Sequence, residues 1–267
     1  EEFHMAAAEA LGMIGDERAV APLIKRIGAN NPHPRIALGK IGGKHTVELL
    51  IKALEGEMNW ESVAICEVGS PICGKCKHCI NINTCQAAAE TLGVIGDKRA
   101  VELLNKVLSS DGVASPVRVA AADALGNIGD KQAVEPLIYA LEEGYHTLGT
   151  SGGWAQNFRR SAALALGKIG GKQAVDVLIK VLSRPYFTLV RISAAQALGN
   201  TGDKRAIGPL LKVHEHEKIR WSATRALAKI VKASDIKEKE NIIKFLKSDD
   251  QGMVMMSASM LKGILEE

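Results

Sequence analysis

Small and apolar residues along this chain recur at helical spacing in short blocks, and each block ends in glycine. Ala133-Val134-x-x-Leu137-Ile138-x-Ala140-Leu141 is one such block and predicts an amphipathic helix. Another runs from Val117 to Leu125 and is rich in alanine, the strongest helix former. Its small side chains allow a second helix to approach closely. The segment Ala10-Leu11-Gly12-Met13-Ile14-Gly15-Asp16 returns as Ala37 to Gly43, Thr91 to Asp97, Ala124 to Asp130, Ala165 to Gly171 and Ala197 to Asp203. A degenerate copy spans Ala226 to Ile230. The first glycines (12, 39, 93, 126, 167, 199) are separated by 27, 54, 33, 41 and 32 residues. That gives a period of about 30 residues, with two long steps that must hold insertions. Each copy predicts a helix pair: Gly129 and its equivalents cap the first helix in the left-handed conformation, and Asp130 caps the start of the second. Such pairs bury little alone and must stack.

The pattern Val-Arg-x-x-Ala-Ala-x-Ala-Leu-Gly-x-Ile-Gly-Asp-x-x-Ala-Val-x-Pro-Leu-Ile resembles the short HEAT-like repeat of the phycobilisome-lyase type. The resemblance implies an all-α fold, an α-solenoid of short helix-pair repeats running through residues 1–267 as a single domain. It counts about seven repeats plus a terminal half-repeat. It points to no single function, because repeats of this type serve adaptors, lyase subunits, enzymes and regulatory domains.

Composition narrows the picture. Hydrophobic residues make up 46% and charged residues 24%, as in a folded globular chain. Aromatics are only 4%, so the core must come from Ala, Leu, Ile and Val. The longest apolar runs fall well short of the roughly 18–20 residues of a membrane span, so no membrane contact is expected. With no signal peptide in view, a cytoplasmic location is expected. Glu1-Glu2-Phe3-His4 reads either as a cloning remnant ahead of Met5 or as the edge of a longer chain.

Three columns follow from aligning the repeats. Arg118, Arg159, Arg191 and Arg220 each stand seven residues before the signature Leu, and Asp16, Asp97, Asp130 and Asp203 five after it. By family resemblance, both columns are expected to tie neighbouring repeats together. The third column lies on the second helices: Lys25, Lys52, Lys106, Tyr139, Lys180 and Lys212. In HEAT-like solenoids these helices line the concave surface, so the resemblance implies a basic stripe for another, acidic protein. Nucleic acid is a less favoured ligand at a net charge of +4.

The two long steps hold the departures from the repeat. A Gly-rich loop insertion at 143–157 offers Tyr145, His146 and Trp154. The other, at 56–85, holds every cysteine of the chain: Cys66, Cys73, Cys76, Cys79 and Cys85. Cys85 takes the place of the column Arg and is expected near the start of a helix, where the positive N-terminus would favour its thiolate. An odd count in a chain otherwise free of cysteine favours a metal site over disulfides. Cys73-x2-Cys76-x2-Cys79 resembles the three-cysteine run of bacterial-type ferredoxins, without the following Cys-Pro. A [4Fe–4S] cluster is slightly preferred to Zn, which would use Cys73 and Cys76 as a knuckle.

Catalytic signatures are missing from the chain, which points away from an enzyme. His214-Glu215-His216-Glu217 is similar in composition to the His-Glu pairs of the HEAT-like deoxyhypusine hydroxylases, but that family spreads its pairs over several repeats. The segment is therefore expected to be a solvated loop. Past it, a polar helix through Leu246 and a Met253–Met256 cap are expected. The functional expectation is an interaction scaffold with a cysteine-ligated metal centre. The alternatives are an iron–sulfur electron-transfer or redox-regulatory subunit, and nucleic-acid binding through the Lys stripe.

Overall fold

The computed structural model describes residues 2–27, 32–57, 77–110, 113–143, 153–183, 188–213 and 217–232. Every regular element among them is helical. The chain divides into two compact units, Glu1–Ala162 and Ala163–Glu267.

In the first unit α1 (Glu2–Ile14), α3 (Pro32–Ile41), α5 (Lys77–Ile95) and α7 (Ser115–Ile128) are the first helices of four pairs. Their partners are α2 (Val20–Ile24), α4 (Gly43–Glu57), α6 (Val101–Ser109) and α8 (Val134–Glu143). First helices pack in series, α1 on α3, α3 on α5 and α5 on α7. Helix α9 (Gly153–Ile169) begins in this unit and ends in the second. The second unit continues with α10 (Lys172–Leu182), α11 (Thr188–Thr201), α12 (Ile207–Val213) and α13 (Glu217–Lys232), with α11 against both α10 and α13.

The reversal between paired helices is built as the repeat pattern predicts. Helix α7 opens on Ser115-Pro116, where the missing proline N–H leaves no bond unmade. It closes at Gly129, whose φ of 73° is left-handed and whose N–H donates to the Leu125 carbonyl at 3.0 Å. Asp130 then accepts from the Gln132 N–H at 3.0 Å and caps a 3-10 turn, Lys131–Ala133, that leads into α8. Asp16, Asp97 and Asp203 do the same, each accepting at 2.9 Å from the N–H of Arg18, Arg99 or Arg205.

The core is aliphatic. Leu38, Leu92 and Leu125 in the first unit, and Leu166, Leu198 and Leu227 in the second, have no exposed surface. Burying each contributes about 1.5–3 kcal/mol. The glycine next to that leucine has a separate task. A Cβ on Gly93 would sit 2.6 Å from the Ala124 Cα, and one on Gly167 would sit 2.5 Å from the Ala197 Cα. Helices α5 and α7, and the helices carrying Gly167 and Ala197, therefore touch backbone to backbone at a Gly–Ala contact.

The structure shifts the edges of the predicted insertions. Helix α4 runs on to Glu57 and α5 starts at Lys77, so regular helix enters the 56–85 span from both ends. Cys85 is thus the ninth residue of α5 rather than close to its start. Ile80-Asn81-Ile82-Asn83-Thr84 holds no Gly or Pro, so nothing stops the helix from beginning earlier. The dipole argument for its thiolate fails with that placement, because the effect fades within the first turn. In the 143–157 span, α8 ends at Glu143 and α9 begins at Gly153. His214 to His216 and residues 233–267, with the predicted polar helix and Met253–Met256, lie outside the described residues.

Candidate functional site

The Arg column is used by the fold. Arg118, only 3% exposed, donates from Nε to the Leu108 carbonyl near the C-terminus of α6 at 3.0 Å. Its guanidinium also lies 4.5 Å from the centre of the Phe158 ring on α9. Arg191 makes the corresponding bond, Nε to the Leu182 carbonyl at the end of α10, at 2.8 Å. In both cases a cation meets the negative end of the preceding repeat's second helix. Burial pulls the Arg191 guanidinium below its usual range. Arg159 is buried as well, whereas Arg220 is exposed.

Charges at the capping turns add a second set of ties. Lys98 reaches Asp130 of the next repeat at 3.3 Å, and Arg99 reaches back to Glu48 at 3.7 Å. Arg205 does the equivalent in the second unit, bonding Asp176 at 2.5 Å while also gripping Asp203 at 2.8 Å. Hydrogen bonds from the side chain and backbone of Arg18 hold the Asp16 carboxyl down at about 2. Asp97 and Asp203 are lowered by Arg99 and Arg205 in the same way, and Asp130 by the Gln132 N–H and then Lys98.

The third column faces solvent. Lys25 directly follows α2, Lys52 stands on α4, Lys106 on α6 and Tyr139 on α8, all with exposed side chains. In the second unit Lys180 on α10 and Lys212 on α12 are exposed too. On α6 the neighbours Leu104, Val107 and Leu108 are buried, so Lys106 stands on the opposite face of an amphipathic helix.

Of the five cysteines, Cys66, Cys73 and Cys76 lie outside the described residues. Cys79 falls in the first turn of α5. Cys85 is 4% exposed and shares one buried helical stripe with Ala88, Ala89 and Leu92 at i, i+3, i+4 and i+7. No group of three or more His, Cys, Asp or Glu placed to hold a metal occurs among the described residues. None of their helices is long and apolar enough to cross a membrane.

Two concavities were not foreseen from the sequence. In the first unit a groove of about 470 Å³ lies over α3, α5 and α7, with the Arg35–Glu90 ion pair, Ile36, Lys40 and Val94 along it. It forms where Gly39 meets the Val94 side chain, whereas Gly93 meets a backbone Cα. In the second unit a cavity of about 200 Å³ lies beside Trp221, Arg225 and Lys229. Its sequence signal was an aromatic with two cations at i+4 and i+8, which is easily overlooked in a chain with few aromatics.

Stacked helix pairs tied by buried arginines, capping aspartates and backbone glycine contacts define an α-helical repeat protein. The HEAT repeats family matches residues 81–148 and 153–228, and the PBS lyase HEAT-like repeat matches residues 4–27. This chain belongs to the HEAT-repeat family. No curated protein sequence matches it. Among solved structures it is similar to human deoxyhypusine hydroxylase in complex with glycerol, at 16% identity over 96% of this chain and 98% of that one. The TM-score of that match is 0.34, too low to carry any conclusion about activity.

Proposed function

We propose that this HEAT-repeat chain is a protein-interaction scaffold whose inserted segment carries a cysteine-ligated metal centre. One observation carries the scaffold reading. Lys25, Lys52, Lys106, Tyr139, Lys180 and Lys212 are all exposed at one repeat position. Exposed cations that recur with the repeat suit an acidic protein surface.

The metal reading narrows to four ligands. Cys79 and Cys85 are six residues apart on one helix, a rise of about 9 Å. Two sulfurs on one zinc ion, each at about 2.3 Å, can be no more than about 4.6 Å apart, a limit that applies to zinc and not to thiolates on separate irons of a cluster. Cys85 is also committed to the core stripe of α5. Cys66, Cys73, Cys76 and Cys79 therefore form the favoured ligand set, for a [4Fe–4S] cluster or for zinc. Such a centre would supply either an electron-transfer step or a structural clamp.

Anaerobic purification followed by iron, zinc and acid-labile sulfide analysis tests this. Cys76→Ser should abolish the metal and Cys85→Ser should retain it, with the helical signal intact in both. Metal lost equally in both variants would refute the ligand set. Zinc without sulfide would exclude the electron-transfer role, and four irons with a spectrum that bleaches reversibly would establish a redox-capable cluster. For the scaffold, Lys52→Glu with Lys106→Glu should abolish cross-linking to the partner. Retained cross-linking would remove the Lys column from the interface.

A further inference from the structure

Charge is distributed unevenly along this chain. Residues 163–232 carry 13 Lys and Arg against 4 Asp and Glu, a net +9, although the whole chain is +4. Helix α13 alone holds Lys218, Arg220, Arg225, Lys229 and Lys232, with Glu217 as its one acid. Amid this charge Trp221 is 66% exposed. Exposing so large an aromatic forgoes a substantial burial gain.

The surroundings of Trp221 form a site. Trp221, Arg225 and Lys229 follow at i, i+4 and i+8 and so share one helical face. The Arg225 guanidinium lies 5.3 Å from the ring centre. Lys229 Nζ donates to Asn200 Oδ1 on α11 at 2.9 Å. Between them lies the cavity of about 200 Å³, lined further by Gln196 and Ser222.

These groups supply an aromatic ring for stacking, amides that offer both donors and acceptors, and two cations within one side-chain length. We propose that this face of the second unit binds single-stranded nucleic acid, with one base against Trp221, its edge toward Gln196 and Asn200, and phosphates on Arg225 and Lys229. An acidic polypeptide would use the cations but gain little from a stacking ring and paired amides, so the lining favours a nucleobase. The site lies on the first helices α11 and α13. It is separate from the Lys column on the second helices, and its failure would leave the scaffold and metal readings standing.

The test is fluorescence anisotropy with a labelled deoxythymidine oligonucleotide, titrated across about 50 to 200 mM salt. Competitors are a duplex of equal length and polyglutamate. The wild-type chain should prefer the single strand to the duplex. Trp221→Ala should weaken binding about tenfold while Trp221→Phe keeps most of it, as expected for stacking. Arg225→Gln and Lys229→Gln should each flatten the slope of log affinity against log salt by about 0.7. All three positions are exposed, and unchanged helical circular dichroism will confirm that each variant folds. Three results would overturn the proposal: no binding of the oligonucleotide at low salt, binding indifferent to Trp221→Ala, or polyglutamate bound more tightly than the oligonucleotide. The last would assign the face to an acidic protein.

Discussion

Replacing Gly93 with alanine should destabilise this protein, although the same change in a helix usually helps. In an open helix interior Gly→Ala gains about 1 kcal/mol from propensity. Here the new methyl would lie 2.6 Å from the Ala124 Cα and 2.8 Å from the Ala124 Cβ. Carbon atoms pack at about 3.5–4.0 Å, so α5 and α7 must part by about 1 Å. No rotamer change relieves this, because the obstacle is backbone. Overpacking of this kind costs about 1–3 kcal/mol, which leaves a net loss of up to about 2 kcal/mol after the propensity gain. Gly208→Ala is the control: it lies within α12 and its added Cβ would meet nothing within 4 Å. Urea unfolding followed by circular dichroism should place the Gly93→Ala midpoint below wild type and the Gly208→Ala midpoint at or above it. If both variants move together, or Gly93→Ala is unchanged, the backbone contact between α5 and α7 is not what positions them.

Other outcomes follow from the ties between repeats. Arg118→Met removes the bond to the Leu108 carbonyl and the contact with Phe158, and should lower stability by about 2–3 kcal/mol in the same assay; Arg118→Lys should fail to rescue it. Asp97→Ala removes a cap and should cost about 1 kcal/mol, with Asp97→Asn restoring most of it. Asp16, Asp97, Asp130 and Asp203 all titrate below 3.8 when folded, Asp16 near 2, so between those values the unfolded chain binds more protons. Their contribution is then complete above about pH 4 and drains away as pH falls toward 2. Urea midpoints measured from pH 6 down to 2 should show that decline, and changing the four residues to Asn should flatten it.

Much of this fold was legible because the same local solution is used repeatedly. The left-handed glycine answers a backbone requirement at six reversals and the aspartate after it at four of them, Gly43 and Gly171 standing in the other two, and recurrence separates such a requirement from chance. Arg118 and Arg191 were legible as ties for the same reason. Their acceptors were not, because a backbone carbonyl leaves no mark in the sequence. Gly93 and Gly167 served as register marks in the alignment, yet their contact with the next helix is visible only in three dimensions. The start of α5 was misplaced because the repeat frame suggests a boundary where the chain itself holds no helix breaker. Trp221 stands at a position that other repeats fill differently, so periodicity could not single it out.

The packing of α3 on α5 has a consequence for how new chemistry enters such a stack. These helices stay in contact, joined by the Arg35–Glu90 pair, although their signature glycines are 54 residues apart. Nineteen residues, 58–76, separate α4 from α5, against five, 110–114, between α6 and α7. For a flexible chain, nearly two doublings in length cost only about 1 kcal/mol of closure entropy. A repeat array can thus take up a long segment at the return between pairs for less than the burial of one leucine. The spine carries the stability, and the returns are left open for the addition of function.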